Sequence, residues 1–130
     1  MKATGSFEVK MLPQDIDVKG HGGNQLGRFS LQKYFHGSLD GESKGEMLSA
    51  RTTENGSAGY VAIEQFVGVL DGKKGGFVLQ HFGIMNRGKD RLIFDVVPDS
   101  GTGGLENISG NMTIEIKNGK HLYAFNYEIS

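Results

Sequence analysis

The sequence predicts an all-β fold, a closed eight-stranded antiparallel meander barrel, from three observations. Turn signals recur regularly, the segments between them are apolar and strand-like, and no stretch combines helical periodicity with capping residues. Asn-Gly and Asp-Gly pairs are strong hairpin signals, because both residues tolerate the positive φ of a tight turn. Such signals occur at Asp40-Gly41, Asn55-Gly56, Asp71-Gly72, Asn86 with Gly88, Asp99 to Gly101, and Asn118-Gly119.

Segments rich in Val, Ile, Phe and Tyr lie between these turns. They predict strands near 3–10, 27–38, 43–53, 58–70, 75–85, 90–97, 110–117 and 120–129. The segment from Met11 to Gln25 is predicted to be a loop that could include a short helical turn. An open meander would expose long edge strands, which closure into a barrel removes. Glycines within strands, at Gly59, Gly68 and Gly83, suit the bends of a barrel. A two-sheet sandwich is the alternative.

Composition limits the domain organisation and the partners. The 130 residues predict a single domain, 1–130. A net charge of −1 with interspersed acids and bases argues against nucleic-acid binding and against a polybasic membrane-surface protein. The absence of cysteine excludes thiol chemistry. The N-terminus lacks a hydrophobic signal core, so a cytoplasmic protein without membrane partners is expected.

Three segments carry a family resemblance: Ala3 to Val9, Phe77 to Gly83, and Val97 to Gly110. Together they resemble a family of small, uncharacterised, mainly bacterial single-domain proteins. The pattern Gly-Thr-Gly-x-Leu-x-x-Ile-x-Gly, beginning at Gly101, is also similar to a signature of allene oxide cyclases and dirigent proteins. That second resemblance implies an allene-oxide-cyclase-like barrel that binds an apolar ligand inside. Within the pattern, Leu105 and Ile108 are predicted to plug one barrel end.

The hairpin of residues 58–70 and 75–85 is the best candidate for chemistry. A four-residue loop, Asp71 to Lys74, would pair Leu70 with Gly75 and place Glu64 opposite His81. A three-residue loop would instead pair Glu64 with Gln80 and move His81 to the other face. The first register is preferred. It predicts one face with Tyr60, Ala62, Glu64, Phe66, Gly68, Phe77, Leu79, His81, Gly83 and Met85, and a second, Val- and Ile-rich face that suits an interface.

A carboxylate beside an imidazole in apolar surroundings is how general acid–base sites are built. Glu64 and His81 are therefore the predicted catalytic residues. The predicted ligand-binding residues are Tyr60, Phe66, Phe77, Gln80, Tyr123 and Tyr127. The leading hypothesis is a barrel that binds an apolar small molecule and isomerises or cyclises it with Glu/His assistance. A buried Glu–His pair with a purely structural role is the alternative for these two residues.

A second hypothesis is a non-catalytic module whose apolar β surface pairs with itself or with another protein. A homo-oligomer, namely a dimer, is expected in either case. The four histidines show no spacing typical of metal ligands, so neither a metal nor another cofactor is predicted. His36 is predicted to lie outside the barrel and His21 in a loop.

Overall fold

The chain folds into nine β-strands and no helix. The structure is a computed structural model that describes residues 1–130. Its strands are β1 (Lys2–Gln14), β2 (Gln25–Gly37), β3 (Leu39–Arg51), β4 (Ala58–Leu70), β5 (Lys73–Asn86), β6 (Lys89–Val96), β7 (Thr102–Gly103), β8 (Ile108–Lys117) and β9 (Lys120–Ile129). The loop predicted from Met11 is shorter than expected, because β1 continues to Gln14. The protein has no helix that could cross a lipid bilayer.

The sheet closes on itself into a barrel. Its strand order is β4-β3-β2-β1-β9-β8-β6-β5, and β4 also pairs with β5. Every pairing is antiparallel, and the two-residue β7 adds only a short bridge to β5 at Gly75 and Gly76. The wall therefore contains the eight long strands, each beside its neighbour in the chain. This confirms the predicted closed eight-stranded meander barrel and excludes the two-sheet sandwich.

Two-residue turns form three of the seven connections between neighbouring strands of the wall. Both residues have positive φ in Asp71-Gly72 (48° and 84°), Arg87-Gly88 (52° and 90°) and Asn118-Gly119 (52° and 77°). This is the type I′ pattern, whose twist matches that of the flanking strands. The turn predicted at Asp40-Gly41 is wrong, because both residues lie in β3 and the chain reverses at Ser38 instead. The Tyr123 hydroxyl binds the backbone on both sides of that reversal.

The β4–β5 hairpin has the predicted faces in a different register. Because Asp71-Gly72 forms a two-residue loop, Leu70 pairs with Lys73. The predicted four-residue loop is therefore wrong, and so is the direct opposition of Glu64 and His81. Glu64 pairs with Leu79 instead. A shift of two residues leaves every side chain on its face, so Glu64 and His81 become diagonal neighbours.

Aromatic side chains pack one half of the barrel. The ring of Phe66 lies 5.7 Å from that of Phe35 and 5.0 Å from that of Phe77, which in turn stacks on Phe125 at 5.5 Å. Leu105 and Ile108 are buried in the same cluster, as predicted for the segment that follows Gly101. This packed half includes the end of β4 and the start of β5. The opposite half is open.

Candidate functional site

A buried polar network lies between the packed and the open halves of the barrel. The Glu64 carboxylate on β4 is 1% exposed. Its Oε1 accepts a hydrogen bond of 2.8 Å from Ser43 Oγ on β3. Its Oε2 lies 2.9 Å from Lys33 Nζ on β2 and 2.8 Å from His81 Nε2 on β5. Four strands therefore bring a carboxylate, an ammonium group, an imidazole and a hydroxyl together inside the barrel.

The protonation states follow from this arrangement. Burial alone would raise the pKa of Glu64, but the His81 hydrogen bond and the Lys33 charge outweigh burial and hold this pKa at about 2. Burial lowers the pKa of His81. The hydrogen bond to Glu64 opposes that change and the Lys33 charge reinforces it, so the pKa stays below its ordinary value. At neutral pH, Glu64 is ionised and His81 is uncharged. His81 Nε2 therefore donates its proton to Glu64, and Nδ1 is left as an acceptor.

Tyr60 extends the network towards the open half. Its hydroxyl lies 2.8 Å from His81 Nδ1, which can only accept. Burial and the nearby charge of Glu64 raise the pKa of Tyr60 to about 12, so the phenol is protonated at neutral pH. Its proton is directed at Nδ1, and its oxygen lone pairs remain available to a ligand. The result is a relay of three side chains, Tyr60 to His81 to Glu64.

A glycine makes room for the Tyr60 ring. Gly83 on β5 pairs with Tyr60 on β4, and a Cβ built at Gly83 would lie 2.6 Å from Cε2 of the ring. Carbon atoms that are not bonded do not approach so closely, so any larger residue at this position would displace the ring. Gly83 is therefore a positioning residue for the Tyr60–His81 hydrogen bond.

Aromatic rings surround the two basic groups. The His81 imidazole stacks on Phe94 with centroids 3.8 Å apart and an angle of 8° between the planes. Lys33 Nζ lies 4.8 Å from the centroid of Phe94 and 4.9 Å from that of Phe7. Cation–π contacts of this kind partly replace the hydration that a buried ammonium group loses. Lys33 is 5% exposed, so this compensation matters.

The open half holds a cavity of about 750 Å³. Its volume is in the range of small-molecule sites. Lys33, Tyr60 and His81 line its floor. Its walls are largely apolar and include Phe7, Val9, Leu31, Met47, Leu92, Phe94 and Ile114. Arg51 and Asp90, which carry opposite charges, lie at its exposed mouth. No group of three or more His, Asp or Glu side chains is arranged to hold a metal ion.

The structure brings together three of the predicted site residues, Tyr60, Glu64 and His81. Four predicted ligand-binding aromatic residues lie in the packed half instead: Phe66, Phe77, Tyr123 and Tyr127. Tyr123 accepts a hydrogen bond of 2.9 Å from the Leu39 N–H and donates to the His36 carbonyl. The Tyr127 hydroxyl donates to the Asp71 carboxylate at the β4–β5 turn. These two tyrosines fasten the closed end of the barrel and do not line the cavity.

Gln80 is separated from the site by the barrel wall. It is exposed on the outer face of β5 and pairs with Ile63 of β4 and Asp95 of β6. Because neighbours along a strand point to opposite faces, the inward direction of His81 requires Gln80 to point outward. The predicted ligand-binding role of Gln80 does not fit this placement.

Sequence reasoning missed Lys33 and Ser43. Lysine is rarely buried without a partner, so Lys33 looked like a surface residue. The alternation on β2 could have found it, since Leu31, Lys33 and Phe35 are all buried while Tyr34 is exposed. Two inward apolar neighbours of a lysine indicate that it has a carboxylate partner in the core.

Comparisons with known proteins agree with the fold and give no activity. The family model described as "Protein of unknown function (DUF3224)" matches residues 3–127. The chain belongs to the DUF3224 family. It is 53% identical, with a TM-score of 0.98, to a crystal structure of a DUF3224 protein of unknown function from Shewanella oneidensis MR-1. That match covers 100% of this chain and 97% of the Shewanella chain. No functionally curated protein matches. The predicted family of small uncharacterised proteins is confirmed, and the likeness to allene oxide cyclases stays a prediction.

Proposed function

We propose that this protein binds a mostly apolar small molecule in its open cavity and moves a proton to or from it through Tyr60. The observation that carries this proposal is the relay at the cavity floor. The Tyr60 hydroxyl donates to His81 Nδ1, and His81 Nε2 donates to Glu64. A carboxylate that orients an imidazole, which in turn accepts a proton from a hydroxyl, is a common arrangement in acid–base and nucleophilic catalysis.

The proton step balances within the relay. A ligand proton passes to the Tyr60 oxygen while the Tyr60 proton passes to His81 Nδ1, and the electron pair of the broken bond stays on the ligand. The imidazolium formed is paired with the Glu64 carboxylate, 2.8 Å away. Because the pKa of Tyr60 is raised to about 12, a free phenolate is unfavourable and the two transfers are coupled. Return of the proton to a different ligand atom would complete an isomerisation or a cyclisation.

Replacement of Tyr60 by Phe tests the chemical part of this proposal. β-Tetralone is a suitable probe, because it is an apolar ketone whose acidic C–H, beside the carbonyl, can face the Tyr60 oxygen and exchange its hydrogen. We expect the protein to accelerate the incorporation of deuterium from heavy water into β-tetralone. Mass spectrometry would measure the rate. We expect Tyr60→Phe to lower the protein-catalysed rate by about a hundredfold, the lower end of the usual range for general acid–base groups.

Tyr34→Phe is the matched control. Tyr34 is exposed on the outer face of β2, at 40% of its surface, so its loss leaves the cavity unchanged. The Tyr34→Phe variant should exchange deuterium at the wild-type rate. Equal exchange rates in Tyr60→Phe and the wild-type protein would reject proton transfer through Tyr60.

Self-association is a second candidate function, favoured by the outer face of the β4–β5 hairpin. Val61 is 56%, Ile63 55% and Val67 64% exposed, and the outward positions of β4 from 61 to 69 carry no charge. These side chains form an apolar stripe one strand wide that Gln65 interrupts, and exposed apolar surface marks interaction sites. The stripe itself is uncharged, so it can face a second copy of itself across a two-fold axis, with Glu42, Lys44 and Glu46 of β3 beside it. A dimer is therefore the proposed assembly.

Val67→Lys is expected to convert this dimer to a monomer. It would place a charge within the stripe, and desolvation of that charge at an interface is costly. Light scattering after size-exclusion chromatography would report the mass. Val18→Lys, in the exposed segment between β1 and β2, is the control that should leave the assembly unchanged. A wild-type monomer, or a dimer that survives Val67→Lys, would exclude this interface.

A further inference from the structure

We propose that the cavity selects an uncharged, mostly apolar ligand that carries a hydrogen-bond donor, and that this donor binds the Tyr60 oxygen. The inference rests on the proposed function of the cavity and names the chemical class of its ligand. It follows from which polar groups at the cavity floor are already engaged and which one is left.

The donors at the floor are engaged within the network. Lys33, Ser43 and His81 Nε2 all point at the Glu64 carboxylate. The Tyr60 proton is directed at His81 Nδ1. No buried side-chain polar atom lacks a hydrogen-bond partner. Lys33 has two further N–H groups, and its ammonium lies 4.9 Å and 4.8 Å from the centroids of Phe7 and Phe94. A ligand that offers only acceptors, such as an ether or a carboxylate, would therefore have to displace a contact of Lys33 to reach a donor in this network.

The acceptor that remains is the Tyr60 oxygen. The Tyr60 proton is engaged in the hydrogen bond to His81, so the oxygen presents lone pairs to the cavity that Tyr60 lines. Ser49 lies directly across the ladder from Tyr60 and also lines the cavity. His121 also lines the cavity. A serine hydroxyl and a histidine ring can each act as donor or acceptor, so neither Ser49 nor His121 discriminates between ligands. The Tyr60 oxygen is then the group that favours a hydroxyl or an N–H on the ligand.

Charge balance at the floor favours a neutral ligand. The Lys33 ammonium offsets the Glu64 carboxylate at 2.9 Å, and His81 is uncharged. An anion at the floor would face the lone pairs of Tyr60, and the buried cation there, Lys33, is already paired with Glu64. Arg51 and Arg91 also line the cavity, but both are exposed to solvent. A cation would compete with Lys33 for the faces of Phe7 and Phe94. Burial of an unpaired charge in either case is unfavourable.

Three naphthalene probes of similar size test the inference by calorimetric titration at neutral pH. β-Naphthol offers a hydroxyl donor, its methyl ether offers only an acceptor, and β-naphthoate is an anion. We expect β-naphthol to bind roughly two- to tenfold more tightly than the ether, as for one net hydrogen bond. β-Naphthoate should bind more weakly than the ether.

Two variants test whether the preference for a hydrogen-bond donor depends on the Tyr60 oxygen. Tyr60→Phe removes the oxygen, and Gly83→Ala keeps it but places a methyl group 2.6 Å from the ring carbon Cε2. In both, we expect the affinity ratio of β-naphthol to its ether to fall to about one while the ether still binds. Gly59→Ala is the control, because a Cβ there meets nothing closer than the Gly83 carbonyl oxygen at 3.8 Å, and it should keep the wild-type ratio. Circular dichroism would show that each variant is folded.

The outcomes separate this inference from the proposed function. Equal binding of β-naphthol and its ether to the wild-type protein would overturn the donor preference and leave ligand binding intact. A preference that survives Tyr60→Phe, or tighter binding of β-naphthoate, would also overturn it. If none of the three probes binds the wild-type protein, both this inference and the proposed apolar cavity site fail.

Discussion

Replacement of Lys33 by Met should lower the free energy of unfolding by about 3–5 kcal/mol, the usual effect of removing one partner of a buried ion pair. Lys33 Nζ lies 2.9 Å from the Glu64 carboxylate, and both side chains are almost fully buried. Met has nearly the same shape as the lysine stem, so the loss of packing is small. The effect comes from Glu64, which stays in the core without its main countercharge. Urea denaturation at neutral pH would measure it.

Lys44→Met is the control for a general effect of losing a lysine. Lys44 pairs with Gln32 across β2 and β3 and is exposed on the outer face. Its replacement should change stability by less than about 0.5 kcal/mol. The double variant Lys33→Met with Glu64→Met removes both charges, and we expect it to be more stable than Lys33→Met alone. A loss below about 1 kcal/mol in Lys33→Met would show that the buried ion pair does not stabilise the fold.

The fold could be predicted from the sequence because turn residues and strand alternation are local signals. Asn-Gly and Asp-Gly pairs marked three of the seven connections between neighbouring strands of the wall, and the period of two assigned the faces of β4 and β5. The register of the β4–β5 pairing was harder to predict. Asp71-Gly72 can begin a two-residue or a longer loop, and the difference moves Leu70 from Gly75 to Lys73. Because that difference is two residues, the face shared by Glu64 and His81 was predicted correctly although their direct pairing was not.

The full site depends on contacts between strands that are distant in the chain. Ser43 and Lys33 approach Glu64 from β3 and β2, which no spacing within the β4–β5 hairpin reveals. The roles of the aromatic residues also could not be predicted from the sequence. Phe66 and Tyr123 alternate like cavity-lining residues, but which half of a barrel is filled depends on the plug that Leu105 and Ile108 form at one end. The sequence could thus indicate the pair Glu64 and His81, whereas the countercharge Lys33 and the closed end required the structure.

Acid should destabilise the wild-type protein more than it destabilises a Glu64→Gln variant. The pKa of Glu64 falls from 4.5 to about 2 on folding, so the folded state binds this proton less readily than the unfolded state. The stabilisation is therefore complete above pH 4.5 and is lost as the pH falls through about 2. At 1.36 kcal/mol per pKa unit, the ionised Glu64 contributes about 3 kcal/mol.

Urea denaturation in steps between pH 6 and pH 2 would measure this contribution. Glu64→Gln should be less stable than the wild-type protein at pH 6, because Lys33 loses its partner. The difference between the two proteins should shrink as the pH falls, since only the wild-type protein has the Glu64 carboxyl to protonate. His81 titrates in both proteins. Its lowered pKa acts in the same direction, with stability lost as the pH falls below its ordinary value of 6.5. A wild-type advantage that stays constant down to pH 2 would mean that folding does not lower the pKa of Glu64. An advantage that grows as the pH falls would mean that Glu64 is uncharged in the folded barrel, and the relay through His81 would then lose its anionic end.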